Sequence, residues 1–220
     1  VTLASGDTSV CSVSGGGINL VGAGTCTITA SQAGDGDYLA ATDVVRTFTV
    51  AKAAQTITFA HPASGGATYG DAPIPVAPTS SSGLTVTLTS GDTSVCSVSG
   101  GGVNLIGPGT CTITASQAGD SNYFAATDVV RTFTVAKAAQ ASLSMTSSSA
   151  LVFGESITLA SAGGSGTGAV SYSVADGTAS GCGVTSGELV YSSAGTCTVT
   201  ASKASDSNYL STSSSAQTVT

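Results

Sequence analysis

Six cysteines stand in three pairs, Cys11 with Cys26, Cys96 with Cys111 and Cys182 with Cys197, each pair 15 positions apart. Two thiols so spaced could hold a soft metal ion, exchange electrons, or close a loop as a disulfide. A zinc site needs close-set C-x-x-C pairs or accompanying histidines, and thioredoxin-like chemistry needs C-x-x-C. Neither spacing occurs, and His61 is the only histidine. Cys96 shares strand parity with Val98, and Cys111 with Ile113, so both sulfurs are expected to face an apolar interior from strands joined by a glycine-rich return. The reading is one structural disulfide per pair, each stabilising its loop by about 3 kcal/mol in the chain-entropy model. Such bonds persist in oxidising surroundings, which places the chain outside the cell or on its surface.

A second recurring group is Asp-x-Asp/Asn-Tyr, at Asp35 to Tyr38, Asp120 to Tyr123 and Asp206 to Tyr209. Oxygens at alternating positions can begin a calcium loop, with Asp35, Asp37, Asp120, Asn122, Asp206 and Asn208 as the candidate ligands. The remaining ligands of such a loop are missing. The competing reading is a turn in which Asp and Asn bond their own backbone while Tyr38, Tyr123 and Tyr209 cover the end of the core.

Hydrolytic chemistry would need a base beside one of the many serines, but His61 sits before Pro62 in a loop and has no counterpart later in the chain. Carboxylates are few and lie mostly in turns, so a glycosidase-like pair has no support. The expectation is a non-enzyme that carries no cofactor. Five basic residues against 12 acidic ones, a net charge of -7, cannot form the basic stripe that phosphate binding requires, which argues against nucleic acid. Six tyrosines without any Trp make a weak platform for sugar.

These groups must be positioned by repeated elements. "SGDTSVCSVSGGG" at Ser5 to Gly17 recurs unchanged at Ser90 to Gly102, and "AATDVVRTFTVAKAAQ" at Ala40 to Gln55 recurs unchanged at Ala125 to Gln140, both shifted by 85 positions. A diverged third copy carries Cys182 and Cys197. A period of about 85 residues exceeds that of solenoid repeats and suits a small independent β domain. The divisions expected are an incomplete repeat over 1–52, a complete one over 53–137 and a diverged one over 138–220, joined by short "AKAAQ" segments into a stiff, elongated rod.

Only 8% of residues are charged, Gly numbers 29, and threonines alternate with apolar residues, as in Cys111, Ile113 and Ala115 against Thr110, Thr112 and Thr114. That period of two makes the chain all-β. Strands are expected in the middle repeat near Thr56 to Phe59, Ile74 to Ala77, Leu84 to Thr89, Ser94 to Val98, Val103 to Ile106, Thr110 to Gln117 and Val129 to Val135. In the last of these Arg131 shares parity with Phe133 and Val135, which demands either a bulge or an arginine that reaches solvent. No run approaches the 18 or more apolar residues of a membrane span.

"QTITF" at Gln55, "TYGDAPIPV" at Thr68, "SSSGLTVTLTSGDTSV" at Ser80, "GPGTCTITASQAGDSNYFAAT" at Gly107 and "FTVAKAAQ" at Phe133 together resemble the tandem bacterial immunoglobulin-like (Big-type) repeats of large surface and adhesin-like proteins. The resemblance spans essentially the whole chain. It implies immunoglobulin-like β-sandwiches, a bacterial origin, and a role as stalk, spacer or fibre-forming segment with no catalytic residues to carry over. The alternative is an adhesive module that recognises glycan or a host protein through loops at one end of a sandwich, with Tyr123 and Tyr209 as its probes. The first repeat opens at "VTLASGD" where the second reads "VTLTSGD" at Val86, so it lacks the equivalent of Gln55 through Thr85, two strands included. Either upstream chain of a longer array fills the gap, the favoured reading, or another copy does so by β-augmentation in a fibre.

Overall fold

The computed structural model describes residues 1–220, and every regular element in it is a β-strand. The chain divides into two compact units, one of 1–61, 76–89 and 113–131, the other of 62–75, 90–112 and 132–220. Both contain strands of the middle repeat.

The third repeat lies wholly in the second unit. Leu143–Met145 pairs with Ser161–Gly163, and Ile157–Thr158 pairs with Glu188–Val190, which in turn pairs with Gly183–Thr185. The other sheet centres on Cys197–Lys203, flanked antiparallel by Val170–Asp176 on one side and by Thr212–Ser213 and Gln217–Val219 on the other. Backbone bonds from Leu151 to the Thr220 carbonyl and from Thr220 to the Ser149 carbonyl add a crossing segment at that edge. In immunoglobulin lettering this is A-B-E-D against C-F-G, with the first strand split between the two sheets, and it establishes an immunoglobulin-like β-sandwich. Leu159, Ala179, Leu189, Cys197, Val199 and Val219 form the core between the sheets.

The middle repeat has the same order. Ile57–Thr58 pairs with Thr79–Ser80, and Ile74–Pro75 pairs with Gly102–Leu105, which pairs with Cys96–Ser99. The second sheet runs Thr87–Ser90, Gly109–Ser116, Val129–Ala136, Ala67–Thr68, and its last pairing is parallel. Sequence periodicity misses Ala67–Thr68 and Thr79–Ser80 because two-residue strands between Gly and Pro carry no readable alternation. In Val129–Ala136 the alternation is unbroken. Arg131 faces inward with Phe133 and Val135 and reaches out along its stem, its Nε donating to the Phe59 carbonyl at 3.1 Å.

The first repeat holds only the C-F-G and D-E strands. Gly24–Ser31 lies between Thr2–Ser5 and Val44–Val50, and Cys11–Ser14 pairs with Gly17–Leu20. Its buried apolar cluster is Val10, Cys11, Cys26 and Ile28.

Candidate functional site: the repeat joint

Each cysteine pair is a closed disulfide, Cys11–Cys26, Cys96–Cys111 and Cys182–Cys197, with Cα separations of 5.7, 5.6 and 5.9 Å. Within a repeat the bond joins strand D, or the residue just before it, to strand F. It therefore ties one sheet to the other where antibody domains tie B to F. The sulfurs of the first two pairs are fully buried.

The Asp-x-Asp/Asn-Tyr segments are the F–G loops, and their carboxylates are engaged by backbone. Asp35 Oδ1 accepts from the Asp37 and Tyr38 amides, Asp120 Oδ1 from Asn122 and Tyr123, and Asp206 Oδ1 from Asn208 and Tyr209, at 2.7 to 3.0 Å. These are Asx turns. No three His, Cys, Asp or Glu side chains come together in an arrangement that could hold a metal ion. Gly119 makes the tight entry to its loop at φ +77, where an added Cβ would stand 2.4 Å from the Tyr123 carbonyl oxygen, and Gly34 repeats the arrangement.

The loop does more than turn. Ala53, in the segment entering the middle repeat, donates its amide to the Asn122 carbonyl at 2.8 Å and accepts from the Phe124 amide at 2.9 Å. Lys52 Nζ donates to the Asp120 carbonyl, and Gln55 Nε2 donates to the Phe124 carbonyl at 2.7 Å and to Gln117 Oε1. Asn122 Oδ1 accepts from the Ala23 amide of the first repeat at 2.9 Å, rather than bonding its own backbone as the turn pattern predicts.

The same joint recurs one repeat later. Ala138 bonds the Asn208 carbonyl and the Leu210 amide, Lys137 Nζ donates to the Asp206 carbonyl, and Gln140 Nε2 donates to the Leu210 carbonyl at 2.7 Å. Here Lys203 stands where the middle repeat has Gln117, and the Gln140 amide finds the Ala204 carbonyl at 3.1 Å instead. Pro108 occupies the position of Ala23 and offers no N–H to Asn208. "AKAAQ" is thus laid as a strand along the next repeat's F–G loop. Composition could not show this, because the partners lie 68 to 70 residues away.

The tyrosines also differ from expectation. Tyr123 lines the joint cleft with Leu20, Val21 and Val50 of the first repeat, and Tyr209 meets Tyr69 edge-on at 5.6 Å. Both are half-buried between repeats rather than capping their own core. Tyr38, with no such neighbour, is 75% exposed. His61 is exposed at the end of its loop. An apolar cleft of about 170 Å³ in the third repeat is lined by Leu151, Phe153, Leu189, Tyr191 and Val219, and its one phenol already donates to the Glu155 carbonyl at 2.7 Å.

Asp206 is the most strongly held carboxylate of the joints. The Thr167 amide donates to its Oδ2 at 2.6 Å, and with the Asn208 and Tyr209 amides it lowers the carboxyl pKa to about 2. A depressed pKa means that these bonds favour folding above the ordinary carboxylate value of 3.8 and are lost as pH falls through about 2. We expect exchange protection of the Thr167, Ala138 and Leu210 amides to persist at pH 4 and to fall only as the pH approaches 2. Loss of protection centred near 3.8 would show that the network does not hold the ionised form.

No family model and no curated protein matches the chain. Among solved structures it is similar to a protocadherin gammaB7 EC3-6 cis-dimer structure, at 15% identity over 99% of this chain and 67% of that one, with a TM-score of 0.31. The immunoglobulin-like assignment rests on the strand order given above.

Proposed function

We propose that the chain is a non-catalytic, load-bearing spacer of an extracellular, bacterial surface or adhesin-like protein, built from tandem Big-type repeats. The observation that carries this reading is the joint made twice over. Lys52 on the Asp120 carbonyl and Gln55 on the Phe124 carbonyl are matched one repeat later by Lys137 on the Asp206 carbonyl and Gln140 on the Leu210 carbonyl. A repeated unit with a repeated joint suits length and stiffness better than a unique binding surface. Two further features support it. Ala67–Thr68 runs parallel to Val135–Ala136, so tension on the ends of the repeat loads those bonds in shear rather than peeling them one at a time. The disulfides fit an oxidising compartment. The adhesive alternative loses its aromatic platform, since Tyr123 and Tyr209 are committed to the joints.

Single-molecule stretching tests the proposal. The oxidised chain should lengthen in separate abrupt events. Reduction should lengthen each event by the 15-residue span that a disulfide locks, roughly 50 Å at full extension. Smooth extension without resistance would remove the load-bearing role.

A further inference from the structure

The first repeat carries receiving surfaces closely similar in sequence to those of the middle repeat, yet nothing lies on them. In the middle repeat, Gly102 and Val103 pair with Pro75 and Ile74, and Val135 pairs with Ala67. The equivalent residues Gly17, Ile18 and Val50 have no such partner strand. The exposures differ accordingly: Ile18 is 44% exposed where Val103 is 0%, and Phe48 is 41% exposed where Phe133 is 6%. The F–G loop is equally bare. Leu39 is 95% exposed, and the Oε1 of Gln32, at the position of Gln117, accepts from the Gly34 amide, whereas the Oε1 of Gln117 accepts both from the Gly119 amide and from Gln55. An unpaired sheet edge beside an uncovered apolar face is a template for another strand.

We propose that this face is an acceptor for one kind of occupant, a polypeptide segment with the residue pattern of Lys52–Thr85. The middle repeat displays the fit. Gln55 would reach Gln32 and the Leu39 carbonyl, Phe59 would close the core over Ile28, Ala67 would pair with Val50, and Ile74 with Ile18. A second copy is a poorer donor because its own segment is already in use, with Gln55 and Phe59 buried at 7% and 4% exposure. Withdrawing it would open the donor's middle repeat. The inference does not depend on the load-bearing reading, since it concerns completion of a sandwich whatever the array does.

The test adds a synthetic peptide of residues 52–85 to the oxidised 220-residue chain and follows amide exchange at Gly17, Ile18 and Val50. At a free peptide concentration ten times its dissociation constant, exchange there should slow about tenfold, while amides of the third repeat stay unchanged. A peptide carrying Phe59→Asp and Ile74→Asp should give no protection. Unchanged exchange at saturating peptide, or equal protection by the substituted peptide, overturns the proposal. Self-association of the chain through this face that the peptide cannot displace would assign the face to a second copy and overturn it as well.

Discussion

Replacing Cys11 and Cys26 together by alanine is expected to unfold the first repeat, whereas the same change at Cys96 and Cys111 should weaken the middle repeat and leave it folded. The bonds close loops of equal span, 15 residues, so each contributes about 3 kcal/mol in the chain-entropy model. What differs is the reserve beneath them. The first repeat buries four apolar residues, two of which are the cysteines themselves. The middle repeat buries Phe59, Val103, Ile113, Phe133 and Val135 as well. Domains of about 50 residues stand close to zero net stability without a staple, and loss of about 3 kcal/mol exceeds what such a fragment retains. Residue-resolved hydrogen exchange distinguishes the cases. Ile28 should lose all protection in the first variant, while Ile113 should keep measurable protection in the second. Equal small losses in both would show that the open repeat draws its stability from elsewhere.

Truncating Ile113 to alanine should cost the middle repeat about 2–5 kcal/mol, and the same truncation at Ile28 should cost less. Both residues occupy the same position on strand F. Ile113 is fully enclosed, so removing its methyl groups leaves a cavity that the two sheets cannot close without moving. Ile28 lies beneath the face where Phe48 is already open to water, and solvent can enter the space it vacates. Exchange free energies of neighbouring strand-F amides measure both costs. If the 52–85 segment covers the first repeat, adding it should raise the cost of Ile28→Ala towards that of Ile113→Ala. Equal costs in the bare chain would mean that the first repeat is enclosed by something other than the strands described.

Much of the fold is legible in one sequence because the repeat displays itself. An unchanged run such as "AATDVVRTFTVAKAAQ" gives the period, Thr and apolar alternation from Thr110 to Ala115 gives an inward-facing strand, and three cysteine pairs at one spacing leave little room but a staple. These signals are local, and local chemistry decides them: the parity of a side chain, the conformations open to glycine, the thiols within reach of one another. The first repeat's missing strands are likewise read by aligning Val1 with Val86. The short strands Ala67–Thr68 and Thr79–Ser80 escape because two residues show no period.

The joint is what tertiary structure alone decided. Ala53 and Tyr123 are 70 residues apart, and nothing in "AKAAQ" or in "GDSNY" states that one will lie along the other. The pairing arises because the split first strand and the F–G loop emerge at the same end of the sandwich. There the Asn122 carbonyl and the Phe124 amide, next to the Asp120 Asx turn, satisfy the amide and carbonyl of Ala53 in the entering segment. The fate of Asn122 follows from this. From sequence it is a turn residue or a cation ligand. In the fold its side-chain oxygen is carried across the joint to the Ala23 amide, because the loop that holds it is shared by two repeats.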